Sequence, residues 1–331
     1  MVSAQLTVQV LAAIGVILLV APIYRFLNFI WFYFLRPSKA PEYLHAAPAY
    51  ALITGATDGI GKAVAKELYE QGFNLILHGR NEEKMRKVVE DVRGNGARNV
   101  LYFLADASRA DHDFGAMMAP YKDLHITVVV HNVGSQDFTK ERCVNRHKRE
   151  RKLDSQHCAR IDGFSQADLM KVVNRNAVFP LYLTHTLLPR LRQTAKTGPV
   201  LVQFMGSLAS EICPPRFAMY AASKSFLKAL TRGLDNDERV WGTPTGVHFE
   251  YLLTGQVQSN SMRLKPTLDT PTSEAYAKAV VARMGCGYRV YCPYWVHAAM
   301  KYFSDLAGED VQDNYSAQAI ADLIALHEKQ N

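Results

Sequence analysis

The chain has 331 residues, a formal net charge of +7, and 48% hydrophobic and 21% charged residues. This composition is that of an ordinary globular protein, and the length allows one large domain with an appendage. Its five cysteines are scattered and form no Cys-x-x-Cys pair, which argues against a disulfide framework or a metal site and favours a reducing compartment. The positive charge is accompanied by no nucleic-acid-binding motif, so we expect no nucleic-acid partner.

Residues 1–40 differ from the rest of the chain and predict an N-terminal membrane-anchoring helix. Residues 6–24 contain only Thr7 and Gln9 as polar side chains, a run about long enough to cross a bilayer. Residues 26–35 are rich in the aromatic side chains that favour membrane interfaces. The basic residues at 25, 36 and 39 place the following domain on the cytosolic side. We therefore expect a single-pass anchor through residues 6–35 and a linker over residues 41–48, rather than a buried amphipathic helix, because the segment has no polar face.

The stretch over residues 49–72 reads as a strand, a glycine-rich turn and a helix. Residues 49–54 are an apolar run of the kind buried in a parallel sheet, and residues 60, 64 and 68 place apolar side chains on one helical face. This order brings free N–H groups and the positive end of a helix dipole to one point, where a pyrophosphate binds. We expect a nucleotide cofactor to contact Gly55, Thr57, Asp58, Gly59, Ile60 and Gly61.

The second predicted strand, over residues 73–78, ends at Gly79 and Arg80. A NAD site usually carries an acid near this point that holds the ribose 2′-hydroxyl, whereas a guanidinium suits a 2′-phosphate. Arg80 therefore favours NADPH over NADH; the alternative is an exposed arginine that only opens the next helix. That helix is predicted over residues 81–92, with Asn81 as its N-cap.

Further strands are predicted over residues 99–105, 125–130, 199–205 and 246–253, with helices between them and a long helix over residues 166–192. This alternation predicts a doubly wound parallel Rossmann sheet in a single α/β domain over residues 49–310, followed by a tail over residues 311–331. Residues 135–168 form a long polar connection, in which residues 140–160 carry eight Lys/Arg against three acids, a net +5. A basic surface loop and a contact with anionic lipid or an acidic substrate both fit this run.

A serine, a tyrosine and a lysine carry the predicted chemistry. Ser207 follows the fifth strand, and Tyr220 and Lys224, four residues apart, share one face of a helix. A phenol near an ammonium group, with a nicotinamide cation on its other side, has its pKa lowered towards neutrality. Tyr220 is thus predicted to give a proton to a carbonyl or to take one from an alcohol, while Ser207 hydrogen-bonds the same oxygen.

The glycine turn with its leading threonine, Ser207 and the Tyr-x-x-x-Lys pattern resemble the short-chain dehydrogenase/reductase family over about residues 48–300. The resemblance implies a catalytic tetrad of Asn176, Ser207, Tyr220 and Lys224. It also implies an adenine contact from Asp106, a nicotinamide ribose contact from Lys224, nicotinamide amide contacts from Val257 and Ser259, and further cofactor contacts from Asn132 and Tyr220. Two positions depart from the family pattern: His131 replaces an asparagine, which we interpret as a structural change, and Thr254 replaces a proline.

Residues 265–271 and the tripeptide at 132–134 resemble the branch of very-long-chain 3-oxoacyl-CoA reductases and their hydroxysteroid dehydrogenase relatives. The resemblance implies an endoplasmic reticulum membrane enzyme that uses NADPH/NADP+ on lipophilic ketones. A long-chain 3-oxoacyl-CoA is the leading substrate. A steroid-like, polyketide or terpenoid ketone or alcohol is the alternative within the enzyme class, and a non-catalytic nucleotide-binding membrane scaffold is the alternative outside it. A homodimer is a further expectation.

Pro180 stands four residues after Asn176 in the helix predicted over residues 166–192. Proline has no N–H, so in an α-helix it leaves the carbonyl of Asn176 without its usual partner. Such a carbonyl, beside the Lys224 ammonium, suits a water that passes protons to Tyr220. The alternative is a simple kink.

Overall fold

The computed structural model describes residues 2–45, 47–135, 160–260 and 264–329, and the chain divides into two compact units, Met1–Ser38 and Lys39–Asn331. The first unit holds helix α1 (Val2–Ile30), which continues into a π-helical turn, Trp31–Leu35. The segment Ala4–Leu35 is long and apolar enough to cross a membrane. This criterion is one of length and composition only, which N-terminal signal sequences also meet, so the segment is a candidate span.

The second unit is built on a parallel sheet. Its described residues form seven strands in the order β3-β2-β1-β4-β5-β6-β7, all parallel to their neighbours. The strands are β1 (Ala49–Ile53), β2 (Asn74–Gly79), β3 (Val100–Leu104), β4 (His125–His131), β5 (Val200–Met205), β6 (Val247–Leu252) and β7 (Val290–Tyr291). The first six confirm the predicted strands with ends shifted by one residue at most. The two-residue β7 was not predicted, because a pair of residues carries no periodicity.

Helices cover both faces of this sheet, as the doubly wound prediction requires. The helices described in this unit are α2 (Gly59–Glu70), α3 (Glu82–Arg93), α4 (Phe114–Met118), α5 (Gln166–Val173), α6 (Phe179–Thr194), α7 (Ala209–Ile212), α8 (Ala218–Arg239), α9 (Ser273–Ala282), α10 (Trp295–Leu306) and α11 (Glu309–Lys329). Asn81 caps α3, as predicted, by accepting a hydrogen bond from the Lys84 amide at 2.9 Å. Residues 311–329 of the region predicted as a C-terminal tail belong to α11.

The long helix predicted over residues 166–192 is not one regular α-helix. A π-helical segment, Asn174–Val178, separates α5 from α6. Pro180 lies in the first turn of α6, where a helix needs no backbone donor. Across this π-helical turn the Phe179 amide bonds the Asn174 carbonyl, so the segment does not have the α-helical geometry assumed for the prediction, and the role of the Asn176 carbonyl stays a prediction.

The linker before β1 is folded against the domain. It forms a short 3₁₀-helix, Ala40–Leu44, in which Ala40 and Tyr43 are buried. His45 then contacts the Pro199 carbonyl at 2.9 Å through Nε2. Because Pro199 immediately precedes β5, the linker docks at the amino-terminal edge of the sheet. The opposite edge, where the strands end, carries the candidate site. The basic run lies outside the described residues except for Arg160.

Candidate active site

The turn after β1 is a tight backbone cradle that only glycine fits. Gly55 has a left-handed φ of +65°, and a Cβ added there would lie 2.9 Å from the Val133 Cα. A Cβ on Gly61 would collide with the Gly55 carbonyl oxygen and the Asn132 side chain. These contacts draw the turn, the start of α2 and the end of β4 together.

The amino terminus of α2 faces the segment that follows β6. Asp58 caps the helix by accepting a hydrogen bond from the Gly59 amide at 2.7 Å, and its carboxylate also accepts one from Asn260 at 2.8 Å. A Cβ on Gly59 would lie 3.0 Å from the Ser259 Cβ, so Ser259 lies directly beside this helix end. Val257, two residues earlier, is buried. The positive end of the α2 dipole thus meets polar side chains at the carboxyl edge of the sheet.

Thr54 fixes the end of β4 against the end of β1. Its buried hydroxyl accepts hydrogen bonds from the backbone amides of Asn132 and Val133, each at 3.0 Å. In return, Asn132 Nδ2 donates to the Gly55 carbonyl at 3.1 Å. The predicted cofactor residue Asn132 is therefore held at the cradle by a reciprocal set of bonds, and its side chain supports the glycine turn.

His78, on β2, is a supporting residue that sequence reasoning missed. Its Nδ1 accepts a hydrogen bond from the Gly55 amide at 3.2 Å, and Nε2 lies 3.1 Å from the Ala105 carbonyl, to which it donates. Burial lowers the pKa of His78 to about 4, so the ring is neutral, as these two bonds require. A histidine inside an apolar strand, one residue before Gly79, was the available signal.

Arg80 and Asp106 lie together at the ends of β2 and β3. Asp106 Oδ1 accepts hydrogen bonds from the Ser108 amide at 3.0 Å and hydroxyl at 2.8 Å. Burial by itself raises the pKa of Asp106, but these bonds and the charges of Arg80 and Arg175 outweigh it and hold the pKa below its ordinary value. Arg80 is exposed, so its guanidinium is accessible to a ligand. Thr57 packs against Gly79, and a Cβ added to Gly79 would collide with the methyl group of Thr57.

These residues fit a phosphorylated dinucleotide. The glycine cradle leaves room for close approach to backbone amides, the α2 terminus favours a diphosphate, and Arg80 offers a bidentate donor for a further phosphate. Ile60 is half-buried at the start of α2. No group of three or more His, Cys, Asp or Glu side chains that could hold a metal ion occurs within the described ranges of the chain.

Ser207 and Tyr220 meet at the carboxyl edge of β5. Tyr220 lies in the first turn of α8, is half-buried, and its phenol takes part in a hydrogen bond with the Ser207 side chain. The Ser207 hydroxyl oxygen accepts a hydrogen bond from the Ala209 amide at 3.1 Å. This leaves the hydroxyl proton of Ser207 for the phenol oxygen or for a substrate oxygen placed beside it.

Lys224 lies beneath Tyr220 on the same face of α8, as the spacing predicts. Its Nζ is 5.7 Å from the centre of the Tyr220 ring and donates to the Met205 carbonyl at 2.7 Å. Burial lowers the pKa of Lys224 to about 8. The pKa of Tyr220 is raised by burial, with only a partial lowering by Ser207. Burial of the phenol dominates this shift, so Lys224 alone does not produce the expected lowering. The part that a nicotinamide cation would play in it stays a prediction.

Asn176 completes the predicted tetrad from the π-helical segment. Its Oδ1 accepts a hydrogen bond from the Ser135 amide at 3.0 Å, and its Nδ2 donates to the Ser135 carbonyl at 3.2 Å and to Ser223 Oγ at 3.1 Å. A Cβ on Gly134 would lie 2.9 Å from Lys224 Nζ and 3.2 Å from Asn176 Oδ1. The fully buried Asn176 thus links the chain after β4 to α8 beside Lys224.

The two departures from the family pattern have distinct surroundings. His131 is buried, stacks on Phe204 at 4.8 Å and has Nε2 2.8 Å from the Thr184 hydroxyl, so it packs between the sheet and α6. Burial lowers the pKa of His131 to about 3. Thr254 is buried too, and its hydroxyl bonds the Tyr276 hydroxyl at 2.8 Å and the Leu252 carbonyl at 3.2 Å. These bonds hold the turn after β6 that a proline would otherwise stiffen.

A cleft of about 180 Å³ opens beside Tyr220. Its described lining is mostly apolar, with two arginines as its charged members: Arg160, Ile161, Phe164, Leu169, Val172, Arg216, Phe217, Ala218, Met219 and Tyr220. Arg216 has a left-handed φ of +67°, which is uncommon for a residue other than glycine. The cleft can accept an apolar chain that lies beside Tyr220.

The chain is similar in sequence to known short-chain dehydrogenases and reductases. The profile of the family described as short chain dehydrogenase matches residues 49–266. A very-long-chain 3-oxoacyl-CoA reductase-like protein of Arabidopsis thaliana is 27% identical over 297 residues, which cover 86% of this chain and 85% of the relative. A very-long-chain 3-oxoacyl-CoA reductase of Pyricularia oryzae is 24% identical over 305 residues, 90% of this chain and 85% of the relative.

The fold also matches solved structures. A short-chain dehydrogenase from Sphingobium yanoikuyae, solved in complex with NADPH, superposes with a TM-score of 0.60 at 18% identity. The match covers 77% of this chain and 91% of the other. At this identity the likeness concerns the fold, and it agrees with the parallel seven-stranded sheet described above.

Proposed function

This chain belongs to the short chain dehydrogenase family, whose members bind a nicotinamide cofactor and are oxidoreductases, and we propose that it is an NADPH-dependent ketoreductase acting on a long-chain 3-oxoacyl-CoA. The observation that carries the proposal is the meeting of Ser207, Tyr220 and Lys224 beside an apolar cleft at the carboxyl edge of the sheet. Ligands bind at this edge in open α/β sheets.

The proposed roles follow from the hydrogen bonds of each side chain. Bound NADPH supplies the hydride that a ketone carbon accepts. Tyr220 gives its phenolic proton to the ketone oxygen, because its raised pKa keeps the phenol protonated at neutral pH. Ser207 donates its hydroxyl proton to the same oxygen and so orients the ketone. Lys224, with a pKa of about 8, is largely protonated near pH 7 and supplies positive charge under the phenol as it loses its proton.

Two observations support NADPH as the cofactor of choice. The exposed Arg80 occupies the position where an acid would select NADH, and its charge helps to lower the pKa of Asp106. In addition, the Sphingobium yanoikuyae structure that shares this fold holds NADPH.

The substrate proposal rests on the relatives and on the cleft. Both relatives described above are named as very-long-chain 3-oxoacyl-CoA reductases or as like them. The apolar wall of the cleft suits an acyl chain, and the two arginines in its lining suit a substrate with a polar group near its ketone, such as a thioester carbonyl. A simple steroid ketone fits the apolar wall but has no thioester carbonyl beside its ketone.

The proposal is tested by NADPH consumption with membranes that contain the full chain. The panel comprises long-chain 3-oxoacyl-CoA thioesters, steroid ketones and polyketide ketones. We expect turnover with the thioesters, and loss of that turnover in Tyr220→Phe with NADPH binding nearly intact. Preference for a steroid or polyketide ketone would replace the substrate, whereas NADPH binding without turnover of any ketone would identify a non-catalytic scaffold. Residual activity of Tyr220→Phe within tenfold of the wild type would refute the role of Tyr220.

We also propose that residues 6–35 anchor the protein in the endoplasmic reticulum membrane, with the catalytic domain on the cytosolic side as a homodimer. The apolar segment Ala4–Leu35 supports the anchor. A chain that begins at Pro41 is expected to leave the membrane fraction on alkaline extraction, while the full chain stays. If the shortened chain remains bound, the membrane attachment lies elsewhere.

A further inference from the structure

Tyr251 lies on β6 directly behind the candidate catalytic serine. Its side chain is fully buried, and its ring fills the space next to Gly206 so closely that any Cβ there would collide with the ring carbons. The Tyr251 hydroxyl lies next to the backbone of Ser207. No substrate can reach this hydroxyl, so any effect it has on the reaction passes through another residue.

Three hydrogen bonds connect Tyr251, Ser210 and Ser207 in a closed ring. The Ser207 amide donates to the Tyr251 hydroxyl oxygen at 3.3 Å, and the Tyr251 hydroxyl donates to Ser210 Oγ at 3.0 Å. The Ser210 hydroxyl then donates to the Ser207 carbonyl at 2.6 Å. Each hydroxyl both accepts and donates, an arrangement in which hydrogen bonds polarise and strengthen one another.

Because this ring begins and ends on one residue, it holds both peptide groups that flank the Ser207 side chain. We infer that Tyr251 is a positioning residue for the reaction, which acts through Ser210 to fix the direction of the Ser207 hydroxyl. This inference rests on the proposed function, since it gives Ser207 the task of orienting a ketone. Without the Tyr251 hydroxyl, the Ser207 amide loses its acceptor, and the Ser210 hydroxyl loses the donor that orients it.

The ring bears on catalysis because the side chain of Ser207 is attached to the same backbone. The Ala209 amide donates to Ser207 Oγ at 3.1 Å, and this bond directs the hydroxyl proton towards Tyr220 only if the Ser207 backbone is fixed. A displacement of about 1 Å at a reacting group can reduce a rate by about a hundredfold. Loss of this ring of hydrogen bonds is therefore expected to slow the chemical step without changing the affinity for the cofactor.

Burial raises the pKa of Tyr251 well above its ordinary value. The hydroxyl thus remains protonated throughout the range in which the enzyme can be assayed, and the ring stays closed. Loss of the Tyr251 hydroxyl is expected to lower kcat by the same factor at every pH. Removal of a group that titrates during turnover would instead change the shape of the pH profile.

The test compares Tyr251→Phe with Tyr121→Phe in the full chain, assayed with the best ketone from the substrate panel. Both changes remove one buried hydroxyl; Tyr121 donates to the Tyr102 carbonyl at 2.7 Å, outside the site. We expect kcat to fall 10- to 100-fold in Tyr251→Phe, with an unchanged pH profile and unchanged affinity for NADPH. Tyr121→Phe should keep the kcat of the wild type.

A double-mutant cycle identifies the residue through which Tyr251 acts. If it acts through Ser207, Tyr251→Phe has no further effect on the residual rate of Ser207→Ala. An equal loss in both backgrounds, or a kcat of Tyr251→Phe within twofold of the wild type, would overturn the inference.

Hydrogen exchange at the Ser207 amide gives a readout that needs no turnover. Tyr251→Phe should raise its exchange rate at least tenfold, and Tyr121→Phe should leave it unchanged. An unchanged rate in Tyr251→Phe would show that the ring does not hold Ser207. If the wild type reduces no ketone, the proposed function fails, while the exchange rates still decide whether Tyr251 positions Ser207.

Discussion

The ring of His78 accepts a hydrogen bond from the amide of Gly55 at 3.2 Å, across the gap between β2 and the glycine turn. Its other nitrogen donates to the carbonyl of Ala105, at the end of β3. Since Ala105 precedes Asp106, one neutral imidazole joins the predicted diphosphate cradle to the predicted adenine contact. The ring is also held by stacking on Phe179, with the centroids 4.9 Å apart.

This arrangement predicts a role for His78 in cofactor affinity. His78→Phe preserves the aromatic stacking but leaves the Gly55 amide and the Ala105 carbonyl without this partner, at a cost of about 1–3 kcal/mol for a buried group. We expect the Kd for NADPH, measured by fluorescence titration, to rise about tenfold, with kcat at saturating NADPH within twofold of the wild type. His185→Phe, a change at an exposed position on α6, is the control. An unchanged Kd would contradict the prediction.

Two buried neutral histidines predict loss of stability in acid. The pKa of His78 is lowered to about 4 and that of His131 to about 3, both chiefly by burial, whereas each returns to about 6.5 on unfolding. Below pH 6.5 the unfolded chain therefore binds more protons than the native protein, and the free energy of unfolding falls as the pH falls towards 4 and 3. Each pKa unit is worth about 1.4 kcal/mol, so the expected loss is several kcal/mol.

The measurement is the Tm of the detergent-solubilised full chain between pH 7.5 and 4.5. His131→Asn, which introduces the residue typical of the family, and His78→Gln should each flatten the decline. His185→Asn should follow the curve of the wild type. Parallel curves for all four proteins would show that other groups cause the acid loss.

Arg80 predicts the choice between the two nicotinamide cofactors. A guanidinium that bonds a 2′-phosphate contributes about 1.5–3 kcal/mol, so its loss should weaken NADPH binding by roughly 10- to 100-fold. Arg80→Gln removes the guanidinium, and Arg80→Asp also adds an acid that suits the 2′-hydroxyl of NADH. We expect both variants to lose NADPH affinity and only Arg80→Asp to gain NADH affinity. Arg86→Gln, which breaks the ion pair with Glu82 on α3, controls for the lost charge. Equal affinity of the wild type for both cofactors would refute this role.

The sequence was sufficient to predict the six main strands and the residues around Tyr220, because both depend on local patterns. Apolar runs of strand length specify buried parallel strands, and a spacing of four places Tyr220 over Lys224. The ring around Ser207 and the bridge made by His78 were not predictable, because they join residues 23 to 44 positions apart through strand register. The raised pKa of Tyr220 was missed for a similar reason: desolvation depends on the packing of the whole domain.

The π-helical segment at Asn176 shows a further limit of sequence reasoning. A count of α-helical bonds correctly notes that Pro180 offers no donor to the Asn176 carbonyl, but it does not reveal that the helix changes its geometry at that point. In the structure, the π-helical geometry directs the Asn176 side chain towards Ser135 and Ser223. The role of the carbonyl remains a prediction.

Pro180→Ala tests that role. The alanine restores an N–H four residues after Asn176, which can bond the Asn176 carbonyl. If the carbonyl holds a water that relays protons beside Lys224, turnover should slow about tenfold, with the Tm and the Kd for NADPH unchanged. Pro189→Ala, in the same helix α6 but exposed, is the matched control and should retain full turnover. Steady-state kcat decides the matter, since an unchanged value in Pro180→Ala would leave the proline as a simple change of helix geometry without a part in proton transfer.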